Sequence, residues 1–165
     1  MIWCYKLLSN YNKNENHHES LQYEIKNASL PDTSIKTVGG FPEHALNKHF
    51  FLENNKMGLR SMGFHEGRSG YIIGLSFIDS SKERHPVGMN NQYLISKEHS
   101  FGLPTAVKGR WINNILHIDY NRLCRIENYT FSISFLGDNL IQLTVTEDSK
   151  EINETITGKT FTVYK

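Results

Sequence analysis

The sequence predicts an all-β protein: an antiparallel, up-and-down, lipocalin-like barrel of about eight or nine strands behind a loosely ordered lead-in. Three observations carry that reading. From residue 45 onward, short stretches of alternating apolar and polar side chains follow one another closely. The breaks between them are rich in Gly, Asn, Asp and Ser, which tight turns require. No stretch in that region keeps the three-to-four spacing of a long amphipathic helix. Closure is favoured over an open sandwich because a closed sheet leaves no unpaired edge.

The division follows from composition: a linker or lead-in over 1–44 and a barrel domain over 45–165. Residues 9–40 are rich in Asn, Lys, Glu and Ser and end in "LPDTSIKTVGG". Within them a short helix is expected near "ESLQYEIKNA", where Leu21 and Ile25 lie one turn apart. The strands then come in series. "NKHFFLE" meets the turn "NNKMG", and "LRSMGFH" meets "EGRSG". "YIIGLSFI", apolar on both faces, reads as a well-covered strand. "DSSKERHPVGMN" reads as a polar loop before "QYLISK". Between "AVKGRWI" and "ILHIDY" stands Asn113-Asn114, a hairpin turn, because Asn tolerates positive φ. "ENYTFSISFL" places Tyr129, Phe131, Ile133 and Phe135 on one face. After "GDN", the strand "LIQLTVTE" aligns Ile141, Leu143 and Val145, and "TITGKTFTVYK" closes the domain.

Composition narrows the function classes. A 165-residue chain suits one domain, and its 38% hydrophobic and 12% aromatic content fits an aromatic-filled core in a polar shell. Eighteen basic against seventeen acidic side chains give a net charge of +1, which argues against nucleic acid or an anionic membrane as partner. The start, "MIWCYKLLSN", lacks the apolar run of a signal peptide or a membrane span, so a soluble chain without an address is expected. Cys4 and Cys124 are read as two free thiols rather than a disulfide framework.

Catalytic motifs are missing. The eight histidines are scattered, no HExxH or CxxC spacing occurs, and neither a metal nor a cofactor is expected. No G-x-S-x-G elbow and no S-x-x-K arrangement is present. "GKT" at 158–160 reads as a turn or bulge, and Glu147, Asp148, Glu151 and Glu154 as a solvated hairpin tip. The segment "GRWINNILHIDYNRLCRIENY" stands out for its mixture of charge and aromatics. Arg110, Trp111, His117, Arg125 and Tyr129 are the candidate ligand residues of a barrel mouth, with stacking faces and an Arg to orient an anion. The same residues also read as outer-face ion pairs, with Asp119 or Glu127 as partners and Trp111 plugging one barrel end.

Residues 45–160 resemble the C-terminal domain that follows the catalytic unit in bacterial serine hydrolases of the beta-lactamase and penicillin-binding-protein type. The residues that carry the resemblance are "FFLENNKMGLRSMGF", "PVGMNNQYLI", "LPTAVKGRWINNILHIDY", "RIENYTFSISFLGDNLIQLTV" and "ITGK", in that order. The resemblance implies a lipocalin-like barrel and an upstream serine-hydrolase domain as partner, in the same polypeptide or separate, exported if the parent is exported. The catalytic Ser and Lys of such parents have no counterpart here. Two functions follow as expectations. The first is a non-catalytic accessory barrel contributing stability, domain packing, dimerisation or cleft shape, and presenting an exposed apolar patch. The second is a free-standing carrier of a small hydrophobic ligand, against which the bulky Tyr129, Phe131 and Phe135 count by filling the interior.

Overall fold

Ten antiparallel strands follow one another along the chain, each bounded by a turn that its residues favour. They are β1 (Lys48–Leu52), β2 (Leu59–Gly67), β3 (Gly70–Phe77), β4 (Lys82–Val87), β5 (Leu94–Ser96), β6 (Thr105–Ile112), β7 (Ile115–Arg122), β8 (Asn128–Phe135), β9 (Leu140–Glu147) and β10 (Asn153–Lys159). The computed structural model describes residues 41–67, 70–89, 91–96, 104–123, 128–149 and 151–160. All of these lie in the compact unit Asp32–Lys165. The expected helix near "ESLQYEIKNA", both cysteines and Arg125 fall outside the described residues.

One sheet contains all ten strands in the order β4-β3-β2-β1-β10-β9-β8-β7-β6-β5, so β4 and β5 face each other as the two ends of a nearly closed barrel. Closure comes at one level. Gly88 N donates to Val107 O at 3.2 Å and Gly109 N donates to Gly88 O at 2.7 Å, a parallel bridge between the end of β4 and β6. Glycine is needed there for space. A Cβ on Gly88 would lie 1.7 Å from the Gln92 carbonyl oxygen, and one on Gly109 would lie 2.9 Å from Val87 Cγ1. Above that bridge, β4 and β5 share no ladder among the described residues.

The β6–β7 hairpin turns on Asn113 and Asn114 at φ 50° and 62°, the two positive φ values of a type I′ turn, as the Asn-Asn pair predicts. Two sequence expectations are corrected. "KERHPV" was expected within a loop, yet it forms β4; this is why there are ten strands rather than eight or nine. Its inward residues are Glu83, His85 and Val87, so the apolar alternation that marks a strand is missing. Pro86 sits within β4, and the edge position permits its missing N–H. "GKT" is no turn: Gly158 and Lys159 are strand residues paired with Ile141 and Leu140.

Alternation sends one face of every strand inward. Phe50, Met62, Phe64, Ile73, Ile118, Phe131, Ile133, Leu143 and Val145 expose no surface, so no water-sized void touches these interior side chains. The lower end, where the β2–β3, β6–β7 and β8–β9 connections lie, is sealed by aromatics. Phe41 is the hub, with its ring centroid 4.3 Å from Tyr71, 5.0 Å from Phe64 and 5.5 Å from Trp111. The upper end carries the β1–β2, β3–β4, β7–β8 and β9–β10 connections. Among the described residues no helix is long and apolar enough to cross a membrane.

Candidate functional site

Below the upper rim, the apolar lining is interrupted by four polar side chains from two strands that are not neighbours in the sheet. Glu83 and His85 point inward from β4, and Tyr120 and Arg122 from β7. The period of two places each pair on the inner face. Barrel curvature brings the two pairs together. Tyr120 Oη donates a short hydrogen bond to Glu83 Oε2, and His85 Nε2 lies 3.1 Å from the same oxygen. Arg122 NH2 lies 3.4 Å from Glu83 Oε1, and Arg122 Nε lies 3.4 Å from Tyr120 Oη.

The cluster is enclosed: Glu83 is 4% exposed, and His85 and Tyr120 are 0% exposed. Burial, and the hydrogen bond it gives to Glu83, hold the Tyr120 hydroxyl far above the usual phenol range, so it remains a donor. Burial alone would lower the Arg122 guanidinium, but Tyr120 and Glu83 beside it outweigh that and hold it charged. A carboxylate only accepts, so His85 Nε2 carries the proton that faces Glu83. His85 Nδ1 has no hydrogen-bond partner among the described residues. Enclosing such charges costs on the order of several kcal/mol per ion before their pairing offsets it, so an apolar interior would be the simpler core.

Above Arg122 lies an open cleft of about 230 Å³ between the β1–β2 and β3–β4 connections. Met57, Phe77 and Ile78 give it apolar walls, and Asp79, Arg122 and Tyr129 give it polar ones. Asp79 accepts two hydrogen bonds from Ser81, which hold its carboxyl below the usual range. Arg122 also lies against aromatic faces, 5.8 Å from the Phe77 ring centroid and 5.7 Å from that of Tyr120. The arrangement can hold a polar group against Arg122 and a small apolar body between Met57 and Phe77.

The barrel-mouth grouping expected from the sequence is corrected for Arg110, Trp111, His117 and Tyr129, which do not converge; Arg125 lies outside the described residues. Trp111 is buried at the lower end against Phe41 and Phe135, while Tyr129 lies at the upper end and lines the cleft. Arg110 and His117 are outer-face residues, because they alternate with the inward Trp111, Leu116 and Ile118. Arg110 NH1 donates to Asn91 Oδ1 at 2.9 Å and lies 4.0 Å from Asp119, and His117 Nδ1 is 3.0 Å from Ser132 Oγ. The outer-face pairing thus falls on Asp119, which Lys108 also approaches at 3.3 Å.

Glu83 and His85 are not singled out by the sequence, because β4 reads as a loop, and Arg122 is not, because it follows the strand expected over "ILHIDY". The signal available was the alternation E-x-H-x-V, charged inside and capped by an edge proline. On the outer face His49 and His65 approach to 5.2 Å between ring centroids. Among the described residues no group of three His, Cys, Asp or Glu side chains could hold a metal ion.

No family model and no curated protein matches this sequence. The fold does match solved structures. Fatty-acid-binding protein 1 of Echinococcus granulosus aligns with a TM-score of 0.52 at 12% identity, covering 73% of this chain and 100% of that one. A fatty-acid-binding protein from brain tissue of Drosophila melanogaster aligns at 0.48 and 15% identity, over 70% of this chain and 98% of that one. A REP1-NXSQ fatty acid transporter aligns at 0.48 and 9% identity, over 71% and 96%. The first of these likenesses identifies the fold: a lipocalin-like antiparallel barrel.

Proposed function

We propose that this chain is a non-catalytic binding protein that takes up a small hydrophobic molecule with a polar end at the upper mouth of its barrel. The observation that carries the reading is the Glu83–Tyr120–Arg122–His85 cluster, a charged group built into a mainly apolar interior beneath an open cleft. Stability alone does not call for it. The barrel shares its fold with a protein named for binding fatty acids, which supports the same reading. The packed interior limits the ligand to the cleft, or to one that displaces upper side chains such as Phe77 and Tyr129. Displacement of a fluorescent fatty acid by small amphiphiles tests it. Saturable binding that weakens in Arg122→Ala is expected, and no binding by any amphiphile overturns it.

The accessory-domain reading keeps one specific observation in its favour. Phe51 and Ile78, 43% and 75% exposed, flank a second open cleft of about 450 Å³ on the upper rim, beside Leu52 and Leu59. Exposed apolar surface of that kind fits a packing face for another domain. Copurification with an S-x-x-K hydrolase encoded alongside, lost in a Phe51→Ser, Ile78→Ser variant, is the expected outcome. A hydrolase that never associates removes the reading.

A further inference from the structure

We propose that the outer wall of the barrel carries a second binding site, a cleft across β1 to β4 that takes a phosphate group, free or as a small monoester. The site is separate from the mouth and does not depend on the binding reading above.

The cleft exists because two neighbouring strands present no side chain there. Ladder register places His49, Gly63, Gly74 and Arg84 in one row across β1, β2, β3 and β4. Alternation turns that row outward, since Phe50, Phe64 and Ile73 beside it are buried inside. Its middle is therefore bare backbone between taller flanks. The result is an open cleft of about 200 Å³ lined by His49, His65, Gly74, Ser76, Lys82 and Arg84. Leu75 and Glu83 border it too, but both side chains are buried on the inner face. Gly63 has a packing reason to be glycine, because a Cβ there would lie 2.7 Å from the Lys48 carbonyl oxygen. Gly74 has none. A Cβ on it would meet nothing nearer than His65 Nε2, at 3.8 Å, and glycine weakens a strand interior. What its absent side chain provides is the floor of the cleft.

The charged groups that line this cleft are all basic. His49 comes from β1, His65 from β2, and Lys82 and Arg84 from β4, while β3 supplies only Gly74 and the Ser76 hydroxyl. The two imidazoles stand 5.2 Å apart. Among the described residues none of the four makes an ion pair. The Glu83 carboxylate is on the other side of the sheet, engaged by Tyr120, His85 and Arg122. Gathered cations without a counterion repel one another. Burial, then His49 and Arg84, accordingly hold His65 below the usual imidazole range. A dianion seated between them removes that repulsion and accepts hydrogen bonds from imidazole, ammonium and guanidinium together. A phosphate group suits donors converging from several sides, because its oxygens point in several directions, whereas a carboxylate offers two in one plane.

The test is titration of the full chain, followed by the imidazole resonances in NMR, at constant ionic strength with chloride as the control. Inorganic phosphate and glycerol phosphate are the two arms, for the free anion and the monoester. Saturable shifts of His49 and His65 with a Kd of about 1–10 mM are expected in at least one arm, together with a rise in the pH midpoint of His65. The arm that saturates at the lower concentration names the source. Arg84→Gln, at an exposed position, is expected to weaken binding about tenfold. Gly74→Val keeps every cation but fills the floor, and is expected to abolish saturation. Shifts no larger than those with chloride in both arms overturn the proposal. So does undiminished binding in Arg84→Gln, or in a Gly74→Val variant that keeps the native urea midpoint. If Gly74→Val does not fold, Arg84→Gln alone decides.

Discussion

Tyr120 Oη donates its hydrogen bond to Glu83 Oε2 across the barrel interior, linking β7 to β4, two strands that share no ladder. The bond makes the two residues interdependent. Tyr120→Phe leaves a buried carboxylate one donor short, and a loss of about 1–3 kcal/mol is expected in urea denaturation. If Tyr120→Phe unfolds at the native midpoint, Glu83 must find an equivalent donor elsewhere.

Phe41 holds the lower end closed as the hub of the aromatic seal. Phe41→Ala is expected to cost about 3 kcal/mol through the cavity it leaves. Phe51→Ala, on a half-exposed ring, is expected to cost under about 0.5 kcal/mol. Thermal midpoints of the two variants should separate clearly; equal midpoints would contradict the packing described.

Gly88 and Gly109 both carry the closure, but what surrounds them differs. An added methyl at Gly88 meets a carbonyl oxygen of the backbone, whereas at Gly109 it meets the flexible ends of Val87 and Met89. Gly88→Ala is therefore expected to cost about 3 kcal/mol and Gly109→Ala about 1 kcal/mol. Hydrogen exchange should show the loss concentrated at the amides of β4 and β6. Uniform exchange across the sheet would place the closure elsewhere.

Asn113 and Asn114 hold left-handed backbone that most residues resist. Asn114→Val is expected to lose about 1–2 kcal/mol, and Asn114→Gly to be neutral or slightly stabilising. Calorimetry on the pair separates backbone strain from side-chain contact, since Gly also removes the side chain.

Acid should weaken the fold through its outer-face histidines. Burial first, then His49 and Arg84, hold His65 below the usual imidazole range; burial and then Arg110 do the same to His117, against the pull of Asp119. In each case the unfolded chain binds the proton more readily, so stability rises with pH across this window. It is present above the ordinary value of 6.5 and is lost as pH falls from there towards the depressed native values. The urea midpoint should fall between pH 7.5 and pH 5, and a His65→Asn, His117→Asn double variant should flatten that fall. A slope unchanged in the double variant would assign the effect to other groups.

Nine of the ten strands could be read from residue order, because apolar side chains recur within each of them between turn-forming residues. β4 could not. Glu83 and His85 occupy inward positions, and Pro86 argues against a strand unless the strand is known to be an edge. The candidate site was hidden for the same reason. Tyr120 lies in a segment conspicuous from its composition, but its partners sit on the one strand whose pattern is inverted. Their meeting depends on curvature between strands far apart in the sheet. Arg110 and His117 drew attention by chemical type, and alternation turned them outward.

The gap between β4 and β5 gives the molecule a preferred line of weakness. Elsewhere, neighbouring strands are stitched by backbone bonds, whereas above Gly88 the free margin of β4 is tied across the interior to β7 by the side chains of Glu83, Tyr120 and Arg122 acting as a rivet. Drawing that rivet and parting the wall become the same event. β4 should therefore be the first part of the wall to swing when the bonds to Glu83 are broken.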